Sequence, residues 1–286
     1  MNRRLLLNLV LLIAVAALIA VVYFEPGIEA PETPAALTTL DRAAVTRIRV
    51  ERADDALELE RRGEQWWVLG EPELPADPLQ VDNLLRMTAA TPRRSYATTE
   101  LDLKQLGLDP APVTVRFDDT AIAVGGTDPL EGLRYVQVGG RVALIPDEYH
   151  NTLQGKRTQL ASRRLLPEGA DIIALALPER RLRQRDDGGW DIDPPLEDIS
   201  ADAAQNLVQA WQHASALWVS AYTPAEGAAP VSVELADGTT IAFELRRGDR
   251  GVELARADLQ LQYHLPEVTA NSLLELERPA PDGGEE

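Results

Sequence analysis

Three histidines, at positions 150, 213 and 264, are the side chains of this 286-residue chain best suited to proton transfer or metal ligation near neutral pH. None stands in an HExxH or HxH pattern, so spacing offers no metal ligands, and neither a metal nor a cofactor is expected. No GxSxG elbow, Walker phosphate loop or GxGxxG turn occurs. Gly125-Gly126-Thr127-Asp128 has the start of a phosphate-binding turn without its lysine, and reads instead as a strand-to-loop glycine pair. Neighbouring carboxylates occur at Asp54-Asp55, Asp118-Asp119 and Asp186-Asp187. On a strand such neighbours point to opposite faces, and in a turn they stay solvated, so none is an acid–base pair by spacing. The absence of cysteine removes thiol nucleophiles, zinc–thiolate sites, iron–sulfur clusters and disulfides. The expectation is a chain without catalytic, cofactor-binding or metal-binding residues, hence not an enzyme.

Charge narrows the partners. Asp and Glu number 46 against 28 Lys and Arg, a formal net charge of −18. All the acids follow Phe24, while Arg3 and Arg4 precede Leu5, so the chain from Leu5 onward, with 26 cations, carries −20. Such a surface repels phosphate backbones and excludes nucleic acid as a natural partner.

Stepping from side chains to the elements that carry them, Leu5 to Phe24 is an apolar run interrupted only by Asn8. As a helix it would span about 30 Å, the hydrocarbon thickness of a bilayer. Arginines before it and Glu25, Glu29 and Glu32 after it predict a cytoplasmic stub at 1–4, a transmembrane helix at 5–24 and translocation of everything beyond. The competing reading is a cleaved signal peptide, for which Ala14-Val15-Ala16 has the small-x-small form; the apolar stretch from Ala17 to Phe24 beyond it argues for an uncleaved anchor. Prolines 26, 31 and 34 mark residues 25–41 as an extended tether.

The rest divides into two similar halves joined by a connector at 156–170: a first module at 42–155 and a second at 171–276, followed by an acidic, disordered tail at 277–286. Each half opens with three β-rich runs ending at tryptophan, Trp66-Trp67 after Arg62-Gly63 and Trp190 after Asp187-Gly188. Trp67 and Trp190 are the expected packing centres. A helix follows in each, begun by Asp77-Pro78 as N-cap and first helical residue, and by Ser200-Ala201-Asp202. Val113–Phe117 then matches Val231–Leu235, and Thr120–Val124 matches Thr239–Phe243 across turns at Asp118-Asp119 and Asp237-Gly238, the latter a type I′ pair. Two more strands and a short helix after Ile145-Pro146 or Leu265-Pro266 close each half. The fold class is therefore α+β: two mostly antiparallel sheets, each with covering helices. Arg157, Arg163 and Arg164 make the connector basic, and the irregular loop Gly125–Leu133 differs between the halves, which makes it a place for partner contact.

Several of these segments resemble the DUF4340 family, named as a domain of unknown function. They are the anchor, the Ile48-Arg-Val strand, Gly63 to Trp67, Pro75-Ala76-Asp77 opening a helix, Leu106-Gly-Leu-Asp-Pro-Ala-Pro-Val-Thr-Val115, and Tyr135-Val136. The likeness covers roughly residues 40 to 275, and Leu106–Pro110, its most distinctive piece, has no counterpart in the second half. Similar domains accompany bacterial ABC-type transport and gliding-motility auxiliary proteins. The resemblance implies an accessory role at the inner membrane, with the domain facing the periplasm and docking a protein partner such as a transporter component. It transfers no reaction and no catalytic residue. The alternative is an extracytoplasmic protein that binds a small molecule, lipid or glycan in a groove between the modules.

Overall fold

The computed structural model describes residues 36–196, 199, 201–248 and 251–276. The expected transmembrane helix at 5–24, most of the tether, Ser200 and the tail from 277 lie outside the described residues. Among the described residues no helix is long and apolar enough to cross a membrane.

The first half runs β1 (Arg47–Arg52), β2 (Ala56–Arg62), β3 (Gln65–Val68), β4 (Leu74–Pro75), α1 (Pro78–Thr88), β5 (Arg94–Ala97), β6 (Val113–Phe117), β7 (Thr120–Thr127), β8 (Arg134–Val138) and β9 (Arg141–Ile145). Helices α2 (His150–Gln154) and α3 (Arg157–Leu160) follow. The second half runs β10 (Ile172–Ala176), β11 (Arg181–Gln184), β12 (Trp190–Asp193), α4 (Ala201–His213), β13 (Trp218–Ala221), β14 (Ala229–Leu235), β15 (Thr240–Gly248), β16 (Gly251–Arg256), β17 (Leu261–Leu265) and α5 (Glu267–Leu274).

Two antiparallel sheets result. Among the described residues the first has nine strands in the order β4-β3-β2-β1-β6-β7-β8-β9-β5, and the second has eight in the order β12-β11-β10-β14-β15-β16-β17-β13. Apart from the short β4, the two orders superimpose strand for strand. In each, the strand after the helix crosses to the far edge and pairs with the last strand of its half, β5 with β9 and β13 with β17. That crossing strand left no alternation in the sequence: Arg94–Ala97 is exposed along its whole length.

Strand alternation places Ile48, Val50, Val115, Phe117 and Ile122 on the inner face of the first sheet, and Leu175, Val231, Val233, Ile241 and Phe243 on that of the second. Helix α1 covers the first with Val81, Leu84 and Met87, and α4 covers the second with Leu207, Val208 and Trp211. Asp77 caps α1 as its sequence predicts, accepting the Leu79 N–H at 2.8 Å ahead of Pro78. Trp211 is fully buried and donates from Nε1 to the Leu273 carbonyl at 2.9 Å. The expectation for Trp67 is corrected: Trp66 leans on the core, while Trp67 takes the opposite face under the Arg62 guanidinium. Only Gly238 of the Asp237-Gly238 turn has positive φ, +87°, so that turn is not type I′; the Gly238 N–H returns to Leu235 O instead.

The connector joins the sheets rather than spacing them. Ala76 pairs with Ala161, Asp77 N–H donates to Leu160 O, and Ser162 N–H donates to Pro75 O. Leu165 N–H donates to Ala214 O, and Ala216 N–H to Arg163 O. Leu160, Ala161, Leu165 and Leu166 belong to one buried cluster with the inner faces of both sheets. The connector arginines serve this joint: Arg157 donates to the carbonyls of Leu69 and Pro72, and Arg163 pairs with the buried Asp77 at 2.8 Å.

Candidate functional site

The outer faces of the two sheets, those turned away from the main core, are built differently, and the repeated topology allows them to be compared position by position. On the first sheet, β1 presents Arg47, Arg49 and Glu51. Arg47 pairs with Glu60, Arg49 with both Glu51 and Glu58, and Arg116 with Glu51, while Arg62 bridges Glu60 and Glu73. These cross-strand pairs occupy the face with long charged side chains. Further along, Leu108, Leu133, Val142 and Leu144 are buried yet stand outside the main core. The Leu106–Pro110 segment lies against β7 there, with Gly126 N–H donating to Leu106 O at 2.7 Å. Gly125 is where the two backbones meet: a Cβ on it would stand 2.5 Å from Leu106 O. The glycine pair read as a strand-to-loop feature thus seats the Leu106–Pro110 segment over a bulge in β7.

The second sheet leaves part of its outer face open: Arg183 pairs with Glu234 across Ala174, and the stretch around Ala176 beyond it is bare. By register, Ala174 and Ala176 of β10 stand where β1 carries Arg49 and Glu51. The link from β13 to β14 is only residues 222–228, against 98–112 between β5 and β6. A cavity of about 1050 Å³ lies on this face. Its floor holds Ala176, Ser232, Ala242 and Ala255, and its rim carries Glu179, Arg180, Arg181, Asp193, Glu244 and Asp258.

At the β13 end of the same face the side chains are polar and interlocked. In one cross-strand row stand Trp218, His264, Glu253 and Arg246; in the next, Ser220, Gln262, Ala255 and Glu244. The Trp218 indole stacks on the His264 imidazole, centroids 4.6 Å apart and planes 13° from parallel. Ser220 Oγ lies 2.8 Å from His264 Nε2, and His264 Nδ1 lies 3.4 Å from Glu253 Oε1. The other Glu253 oxygen accepts from Arg246 Nε and Gln262 Nε2, both at 2.7 Å. The carboxylate beside Nδ1 favours the tautomer with the proton on that nitrogen, in which Nε2 accepts from Ser220. Burial pushes His264 below the ordinary imidazole range; Glu253 opposes the shift and Arg246 adds to it. Tyr222, at the start of the short link, donates to Glu244, and its own phenol is pushed up chiefly by that bond. Traced through the same ladders, the first sheet has Arg94 for Ser220, Leu144 for Gln262 and Tyr135 for Ala255.

The other residues singled out by type are accounted for separately. His150 stands by Arg134, which pairs with Asp147, and His213 is exposed at the end of α4. Asp118 accepts the N–H groups of Thr46 and Arg47, and Asp187 that of Gly189, which holds its carboxyl below the ordinary range. In the loop Gly125–Leu133, Asp128 is buried and accepts from Glu131 N–H and Tyr135 OH, while Leu130 projects into solvent. Among the described residues no group of three or more His, Asp or Glu side chains is arranged to hold a metal ion. Between the sheets lies a second cavity of about 560 Å³, edged by Asp77, Leu79, Asn83, Arg163, Leu217 and Trp218.

Fold and site together define a class: an α+β protein made from a repeated sheet-and-helix unit, with one sheet face filled and the equivalent face partly open. The family model described as a domain of unknown function (DUF4340) matches residues 66–223, more than half of the chain, and the chain belongs to that family. The match begins in β3 and ends just after β13, so the family's unit crosses the connector and takes in parts of both sheets. No curated protein and no solved structure matches the chain.

Proposed function

We propose that this protein is an extracytoplasmic accessory protein, held at the inner membrane by one N-terminal helix, that docks a protein partner of the envelope on the open part of its second sheet's outer face. The observation that carries this reading is the contrast between equivalent faces: charged pairs fill one, and small side chains line a cavity of about 1050 Å³ on the other. A floor of alanine and serine lets a main chain approach closely. The rim offers Arg180 and Arg181 beside Glu179, Asp193 and Asp258, so a segment bearing both signs fits it. The apolar run Leu5–Phe24, with arginines before it and acids after it, supports the anchor and its orientation. The resemblance to domains that accompany transport and motility auxiliary proteins is the ground for naming a transporter component as the partner. The continuous core across the connector supports a rigid platform over a ligand cleft between two modules.

The absence of native cysteine permits a direct test. Ala242→Cys in the full chain, treated in spheroplasts with a membrane-impermeant photoactivatable maleimide, should be labelled without lysis. On irradiation it should yield one discrete adduct with an envelope protein. Ala176→Glu, which puts on the floor the long charged side chain that Glu51 supplies to the first sheet, should abolish the adduct while leaving labelling intact. Labelling only after lysis would contradict the location, and labelling with no discrete adduct would contradict the docking.

A further inference from the structure

Docking alone gives no reason for a serine, a histidine and a glutamate to be ordered in series beside an aromatic ring. We propose that Ser220 is the nucleophile of a hydrolytic site for carboxylic esters with a small apolar acyl group, with His264 as its general base and Glu253 orienting the imidazole. Three neighbouring strands supply the three residues in the order that an activated serine requires, with serine to imidazole at 2.8 Å, within hydrogen-bond reach, and imidazole to carboxylate at 3.4 Å, a looser contact that closing on substrate would have to tighten. Arg246 and Gln262 fix one Glu253 oxygen and leave the other for Nδ1, and Trp218 fixes the plane of the ring. The array is no by-product of the shared fold, since by register the first sheet has Arg94 in place of Ser220 and Leu144 in place of Gln262.

The surroundings define the substrate class. His264 and Glu253, though not Ser220 itself, help line a neighbouring open cavity of about 560 Å³ whose other walls include Leu217, Trp218, Val252, Leu265 and Pro266. Such walls take an apolar group of modest size. Because β13 is the last strand of its sheet, alternate N–H groups along it face outward. Tyr222 N–H donates to Gln260 O, which by alternation turns Ser220 toward β17 and leaves the N–H of Ala221 on the open edge. The N–H that follows a nucleophile is the donor used for a developing oxyanion in hydrolases of the nucleophile-elbow type. Burial pushes His264 toward its neutral form, the state a base needs.

In the first half-reaction Ser220 Oγ bonds to the ester carbonyl carbon as its proton passes to His264 Nε2. The tetrahedral intermediate then breaks its bond to the alkoxy oxygen, which leaves as an alcohol with that proton. Water next adds to the acyl-serine, giving one proton to His264. Collapse releases the carboxylic acid and returns the proton to Ser220.

The test uses the full chain in detergent micelles with a fluorophosphonate probe and p-nitrophenyl butyrate. Peptide mass spectrometry should find the probe on Ser220. Ser220→Ala should lose the adduct with an unchanged melting curve, and His264→Gln should slow labelling about 100-fold or more. For the wild type, the labelling rate should rise with pH to a plateau with its midpoint below the ordinary histidine value of about 6.5. Wild-type protein that melts cooperatively yet takes no probe would overturn the proposal. So would an adduct that persists in Ser220→Ala, or a His264→Gln variant labelled at the wild-type rate.

Discussion

Trp211 concentrates the stability of the second half in one side chain. It is fully buried, its indole N–H is bonded to Leu273 O, and its ring lies 5.6 Å from that of Phe243. Trp211→Ala should cost about 3–5 kcal/mol in urea unfolding, as for other large-to-small changes in a core. Trp67, on the outer face under Arg62, should cost no more than about 1 kcal/mol when changed to alanine. His264 gives a pH dependence of definite sign. Its folded-state pKa lies below the unfolded value, so the native state binds the proton less well. The stabilisation is complete above the unfolded pKa of about 6.5 and is lost as pH falls through the folded value. Urea midpoints measured from pH 7.5 down to pH 5 should fall more steeply for wild type than for His264→Gln. Sequence reasoning found Asp77 because a cap and a first-turn proline are adjacent in the chain. It could not find Ser220, Glu253 and His264 as a group, because cross-strand register alone brings three separate strands together.

At the scale of elements, the Leu106–Pro110 segment and the bulge in β7 are a matched pair. Gly125→Ala would set a Cβ 2.5 Å from Leu106 O and 2.9 Å from the Leu108 side chain. Backbone on one side and a buried leucine on the other leave little room to yield, so this change should destabilise the protein by about 1–3 kcal/mol in chemical unfolding. Gly132→Ala, with nothing near its Cβ, would test only the backbone, whose φ there is +69°. Strand order, turn positions and both covering helices were legible because alternation and punctuation repeat in the two halves. The edge strands β5 and β13 were not, since Arg-Ser-Tyr-Ala and Trp-Val-Ser-Ala pair on one side only and need no continuous apolar stripe. That gap matters, because β13 carries both Trp218 and Ser220.

For the whole molecule, the joint between the sheets sets the behaviour. A core that continues through Leu160, Leu165 and Leu166, with backbone hydrogen bonds from the connector to both halves, couples the sheets. Unfolding followed at Trp66 and Trp67 in the first sheet and at Trp211 in the second should therefore coincide in a single transition, tested with variants that keep tryptophan in only one half. Two separated midpoints would show that the sheets unfold independently. The sequence announced the duplication and a basic connector but not the joint that the connector makes, because its arginines show their internal partners only once the chain is folded.

On the proposed function, the second sheet's outer face, and not the equivalent face of the first, meets the partner. A photoreactive amino acid placed in cells at Ala242 and, separately, at Arg49 compares the two faces directly, both positions being exposed. A discrete adduct from Ala242 and none from Arg49 is the predicted result. Equal adducts from the two positions, or an adduct from Arg49 alone, would contradict it.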